Sequence, residues 1–184
     1  MTIIRPVVKI VPARPSTLLD LKLPRAVEAD PRQKAIQDLL KKDRKPLWEK
    51  STLTLSHVPL TPSFEMYLKT LIQKKQLETG LERIDKLLVS EQRGLVALQR
   101  KQGTPPSQRV SRLFIVSNDG SERFYRACEK ILLQHRDRVL LLCVNESSDR
   151  LTQSLTSEKN KILKALLVSD RDAVTSVLFS LVEN

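Results

Sequence analysis

"RLFIVSNDGSERFYRACEKILLQHRDRVLLLCV", residues 112 to 144, sets the fold class. Its opening run RLFIVS (112–117) is apolar and too short for a helix, which predicts a strand buried on both faces. The period then changes. Phe124, Cys128, Ile131 and Leu132 recur at helical spacing and predict an amphipathic helix with those side chains inward. RVLLLCV (138–144) reads as a second buried strand. Downstream, SSDRLTQSL predicts a short helix and LKALLVS a third strand over 164–168. A last helix follows, with Val174, Val177, Leu178, Leu181 and Val182 as its stripe. Upstream, Thr61, Pro62 and Ser63 open a helix whose buried stripe is Phe64, Tyr67, Leu68, Leu71 and Ile72. Alternating strands and helices imply helices on both faces of one sheet. The expected fold is therefore a three-layer α/β/α sandwich over residues 60–184, with a small, largely parallel or mixed sheet. Residues 112–116, 139–144 and 164–168 should be neighbouring strands.

The first 59 residues read differently. Eight of the ten prolines fall between Pro6 and Pro62, a density that blocks regular structure. One helix is expected at 31–43, where Ala35, Ile36, Leu39 and Leu40 form a stripe after Pro31. Residues 1–59 are expected to be an extended basic arm lying along a partner. KKDRKP (41–46) fits a nuclear-targeting signal, a phosphate patch or a plain solvated surface.

Charge separates the chain into halves. Residues 1–59 carry 12 basic and 6 acidic groups, residues 60–109 carry 9 and 5, and residues 110–184 carry 11 and 10. Nearly all of the net +11 thus lies ahead of residue 110, which points to a polyanionic partner. Aromatics make up only 4%, too few for a stacking platform that grips single strands. No apolar run approaches the roughly 20 residues of a membrane span. Cys128 and Cys143 lack metal-ligand spacing and read as small buried hydrophobes of a reducing compartment. No phosphate-cradling glycine motif is present. His57 lies in the arm, and His135 is expected near an exposed helix end. Asp119, Glu122, Asp170 and Asp172 sit where helices should start and read as caps. No catalytic residue, metal ligand, cofactor or small-molecule substrate is expected.

The chain has four glycines, and one of them interrupts QLETGLERIDKLL (76–88). Leu81, Ile84, Leu87 and Leu88 predict a helix from Thr79 to about Ser90. Thr79 and Glu82 are spaced as a capping box. Gly80 would stand at a strand-to-helix corner flanked by Lys74, Lys75, Arg83 and Lys86. Bare backbone at a helix N-terminus beside cations is a natural phosphate site, and glycine lets RNA approach without a Cβ in the way.

In order and kind, these pieces resemble the kink-turn RNA-binding ribosomal protein family. They are a leading helix, a short strand running into glycine and a helix (QLETGLERIDKLL), a strand ending in a polar loop (LFIVSNDG), a helix, a strand (LLLCVN), a short helix, a strand (ALLVSD) and a last helix. With a basic, proline-rich arm ahead, the chain is most similar to members found in nuclear ribonuclease P and ribonuclease MRP. RNA contact is expected through Lys75, Thr79, Gly80, Arg83 and Lys86; the resemblance matches Gly80 and Lys86 and places Asn118 in the RNA-touching loop and Asn145 in the loop that encloses a flipped-out base. The family has Gly-x-Asn-Glu after its strand; here Gly80 matches, while Glu82 and Arg83 stand in place of the Asn-Glu pair. Backbone-directed RNA binding and pure protein scaffolding both stay open. The resemblance implies a non-catalytic subunit of a nuclear, nucleolar ribonucleoprotein that matures tRNA or rRNA. Structured RNA would be one partner, and other protein subunits would be held through residues 1–59. The rival expectation is a scaffold component of a large complex such as a ribosome.

Overall fold

The computed structural model describes residues 22–103, 107–158 and 161–183. A six-stranded mixed sheet lies between two layers of helices, a three-layer α/β/α sandwich as expected. The elements are α1 (Arg25–Glu28), α2 (Gln33–Lys42), β1 (Arg44–Pro46), β2 (Thr54–Val58), α3 (Pro62–Gln73), β3 (Leu77–Thr79) and α4 (Leu81–Gln102). They continue with β4 (Arg112–Val116), α5 (Glu122–His135), β5 (Val139–Val144), α6 (Ser148–Leu155), β6 (Ala165–Val168) and α7 (Arg171–Ser180). The strand order is β1-β2-β5-β4-β6-β3.

β4 and β5 form the parallel centre, in register from Arg112 opposite Val139 to Val116 opposite Cys143. All six residues of β5 are buried. Leu140, Leu142 and Val144 pack with α1, α2, α3, α6 and α7, whereas Val139, Leu141 and Cys143 pack with α4 and α5. Burial on both faces explains why the strand is apolar throughout instead of alternating. The three expected strands are indeed neighbours, in the order β5-β4-β6.

β6 runs antiparallel to β4, with Val116 opposite Ala165, so the sheet is mixed. α6 leaves from the edge where β5 ends. Its eight residues and the loop after it bring the chain back to that same edge before β6 begins.

The extended arm is corrected over residues 22–58. Residues 1–21 lie outside the described residues, but the rest of the segment is part of the domain. α2 matches the expected helix at 31–43 and buries Ile36 and Leu40. β2 pairs in parallel with β5, from Ser56 opposite Leu142 to Val58 opposite Val144, and β1 pairs antiparallel with β2. Val27, Ile36, Leu40 and Val58 join one helical layer's core, and Leu47 and Leu55 join the other. The Ser56 hydroxyl donates to the Leu40 carbonyl at 2.5 Å, and Arg109 bridges to Glu28 and to the Leu23 carbonyl. The Arg32 guanidinium lies 3.9 Å from the Phe179 ring centre. Prolines lie between these elements or at their ends, Pro24 before α1, Pro31 before α2 and Pro46 as the last residue of β1. The alternation in Thr52-Leu53-Thr54-Leu55-Ser56 was the strand signal the proline count masked.

Two helix-end readings also change. His135 is 4% exposed, not at an open helix end, and neither ring nitrogen has a hydrogen-bond partner among the described residues. Burial, reinforced by the nearby Arg138 charge, lowers its pKa, against the opposing pull of Asp85 and Glu91. Asp119 does not cap α5, because Ser121 does. Asp170 caps α7 by accepting from the Ala173 N–H, as expected. Beside His135, Glu91 accepts from both Arg112 and Arg138. Burial pushes the Glu91 carboxyl up, but those two arginines outweigh it and hold it below the usual range.

Three outcomes are expected. Ile36→Ala should cost about 2–5 kcal/mol in urea unfolding; a cost near zero would mean α2 is not docked. Ile115→Asp or Leu141→Asp strands an unpaired charge between two helical layers and should abolish cooperative unfolding. Because the unfolded chain takes up a proton on His135 before the folded one does, stability should fall as pH drops below about 6.5. His135→Leu should shrink that slope in unfolding followed between pH 7 and 5.

Candidate nucleic-acid interface

Four parallel strand ends open on one edge of the sheet. β2, β5 and β4 run in the same direction, and β3, antiparallel to β6, runs with them. Each is followed by a helix, so the N-termini of α3, α6, α5 and α4 gather there. Backbone bonds join the strand ends in sheet order. Asn145 N–H donates to Val58 O at 2.9 Å, Asn118 N–H to Glu146 O at 3.1 Å, Ser117 N–H to Lys164 O at 3.1 Å and Gly80 N–H to Ala165 O at 3.1 Å. From β5 to β3 is three strand spacings, about 14 Å. The edge therefore brings Thr79, Gly80, Arg83, Asn118 and Asn145 onto one surface.

Three of those helices are capped by their own side chains. Thr61 accepts from the Phe64 N–H at 3.3 Å, Ser121 from the Phe124 N–H at 3.3 Å and Ser147 from the Arg150 N–H at 3.2 Å. α4 is different. Its N-cap is Gly80, with no side-chain cap bond. The Thr79–Glu82 capping box does not form, because Thr79 ends β3 and Glu82 bonds forward to Lys86 at 2.7 Å. The first-turn N–H groups of this 22-residue helix thus have no side-chain acceptor. The aligned peptide dipoles make such an end a weak positive pole.

The geometry of Gly80 answers what its backbone does. Its φ of 91° and ψ of 131° turn the chain from β3 into α4 in a region closed to L side chains. An added Cβ would meet nothing within 4 Å. The glycine is required by the turn, and its outward side is open.

The other expected contacts differ in circumstance. Arg83 is exposed and has no acidic partner among the described residues. Lys86 is exposed but neutralised by Glu82, whose carboxyl it holds below its ordinary pKa. Lys75 precedes β3 and so lies at the opposite end of that strand from Gly80, in a left-handed turn at φ 55°. It is not brought to the edge with the others. The Asn145 Oδ1 lies 3.2 Å from His57 Nδ1, and the Asn118 side chain is exposed. Sequence reading missed three further cations, exposed Arg123 and Arg150 and half-buried Lys164. They follow β4, follow β5 and precede β6, so only the strand order puts them at this edge. No carboxylate pairs with any of the three among the described residues.

Asp119 serves to hold the edge together. It accepts from the Ser117 hydroxyl and the Ser148 hydroxyl, each at 2.7 Å, which joins the loop after β4 to the start of α6. Burial raises its carboxyl, but those hydroxyls prevail and lower it. The Tyr125 hydroxyl donates to Ser117 O at 2.8 Å and accepts from the Gly120 N–H at 2.9 Å, setting the same loop.

Burial pushes the thiols of Cys128 and Cys143 up to about 12, so they stay protonated at neutral pH and are poor nucleophiles. Among the described residues no three His, Cys, Asp or Glu side chains form a metal-binding group. No helix among the described residues is long and apolar enough to cross a membrane. A cavity of about 100 Å³ lined by Leu23, Leu40, Arg44 and Leu140 lies at the opposite end of β5.

Gly80→Ala should destabilise by about 1–3 kcal/mol in chemical denaturation, because φ is positive and no relaxation of neighbours can relieve it. An unchanged midpoint would mean that the corner has another shape.

No family model matches the chain, and no curated protein matches it. A solved protein of unknown function from Bacillus halodurans is similar in structure at a TM-score of 0.45 and 16% identity, over 65% of this chain and 97% of that one.

Proposed function

We propose that this protein is a non-catalytic RNA-binding subunit of a nuclear, nucleolar ribonucleoprotein of the ribonuclease P or ribonuclease MRP type, acting in tRNA or rRNA maturation. In this reading the protein holds a folded RNA element and bridges it to other subunits, and the RNA carries the catalysis. The observation that carries it is the sheet edge along which four helix N-termini lie, with Gly80 at its β3 end. One of those ends has no side-chain cap, and Arg83, Arg123, Arg150 and Lys164 lie along the same edge without acidic partners among the described residues. Open backbone donors and unpaired cations fit phosphate oxygens. The contacts are of the kind that position a backbone and do not read bases, in keeping with Glu82 and Arg83 in place of the family's Asn-Glu pair. The order of elements from α3 to α7 and the net charge of +11 support the same reading.

Binding to a structured RNA such as bulk transfer RNA should fall steeply with salt. Arg83→Gln with Lys164→Gln should flatten the log-log slope by roughly two units, about one per lost phosphate contact. Arg83 is exposed and Lys164 half-buried, and neither makes an ion pair among the described residues, so the unfolding midpoint should hardly move. Salt-independent or undetectable RNA binding by the parent protein would overturn the reading. Crosslinking in cells followed by sequencing would identify the RNA.

A further inference from the structure

α4 is longer than the sheet it packs on. Ile84 and Leu88 are its only buried residues, both in its first half. From Arg93 to Gln102 no side chain is buried, and helix α4 ends where Gly103 adopts φ 68°. The inner face continues as Leu95 and Leu98, which reach beyond the core.

The opposite face is basic. At 3.6 residues per turn, Lys86, Arg93 and Arg100, spaced by seven, lie in one row about 10 Å apart along the axis. Arg83 and Lys101 flank that row on one side. All five are exposed, and they point away from Ile84 and Leu88. Glu82 is the acid within the row and is neutralised by Lys86, while half-buried Asp85 flanks the row on its other side, near the start of the helix. Glu91 lies towards the core and is taken up by Arg112 and Arg138. From residue 92 to 103 there is no acidic residue at all. Arg93, Arg100 and Lys101 have no acidic partner among the described residues. The outcome is a straight cationic rod about 33 Å long that begins at the edge described above and continues past the sheet.

We infer that the distal half of α4 binds the phosphate backbone of a double-stranded RNA segment, continuous with the RNA element held at the sheet edge. The inference rests on the RNA-binding reading and extends it to a second contact. Charge selects a polyanion. The absence of any aromatic residue in α4 selects a duplex over a single strand, since single-strand grips stack bases on aromatic rings. A row of arginines and lysines without base-reading amides or carboxylates makes the contact independent of sequence.

The test uses the full chain, a blunt RNA duplex of arbitrary sequence long enough to span α4, and one of its strands alone. Arg93→Gln/Arg100→Gln/Lys101→Gln removes the distal charges and keeps residues that favour helix. This variant should bind the duplex about tenfold or more weakly at low salt and lose roughly two to three units of salt slope. Its loss on the single strand should be smaller, and its helix content unchanged. An affinity and slope equal to the parent's would overturn the inference while leaving the edge intact. Equal losses on duplex and single strand would overturn the duplex assignment. If Arg83→Gln/Lys164→Gln is silent and the distal variant is not, the edge reading fails alone. If the parent shows no salt-dependent RNA binding, both readings fall. Nuclease-resistant loss of a protein partner by the distal variant, with RNA affinity unchanged, would overturn the inference in favour of a protein occupant.

Discussion

The β4–β5 ladder, from Arg112 opposite Val139 to Val116 opposite Cys143, has helices on both of its faces. A strand so placed must be apolar on both sides, and its N–H and C=O groups must all be met by neighbouring strands, because water cannot reach them. The rest of the architecture follows from that demand. β2 and β6 flank the pair and complete its ladders, and the helices returning from each parallel strand supply the two covering layers. Parallel strands leave their C-terminal ends on one edge, and this places the helix N-termini together there.

That edge is where geometry and charge meet. Three of its helices satisfy their first turn with Thr61, Ser121 and Ser147. α4 cannot, because the turn out of β3 requires a positive φ and therefore glycine, which has no side chain to cap with. The same constraint that bends the chain also leaves donors bare. The polar network of Asp119 with Ser117 and Ser148, and of Tyr125 with Ser117 and Gly120, fixes the intervening loops. The surface is thus preorganised, and ordering its loops would add little cost to binding. The cations along it are long and exposed or half-buried, so they add attraction that salt screens.

Legibility varied with the range of the interaction that decided each feature. The strands at 112–116 and 139–144 and the stripe of α7 were readable because periodicity is local. Residues 54–58 carried a readable alternation too, yet the proline density around them suggested an arm. Pro46 sits on the edge strand β1 and Pro62 at the first position of α3, where a missing N–H costs nothing. The Gly80 corner was legible from glycine scarcity and the switch of period. Its cap was not, since Thr79 is held in the β3 ladder opposite Leu166 and Glu82 turned to Lys86. The second half of α4 was missed because its inner face has nothing to pack against and Gly94 interrupts it.

The sequence by itself determined the element types, the buried stripes, the strand-to-glycine-to-helix corner and the basic bias of the first 109 residues. Each depends on neighbours within a turn or two of the same segment. Only the tertiary structure decided that β6 runs against β4, that residues 22–58 complete the sheet, and that His135 is buried with no hydrogen-bond partner among the described residues. It also decided that Arg123, Arg150 and Lys164 fall on the same sheet edge as Gly80 while Lys75 does not. These depend on which edge each strand leaves from and where its connection returns. Closure of the two-faced core, through residues far apart in the chain, settles that choice.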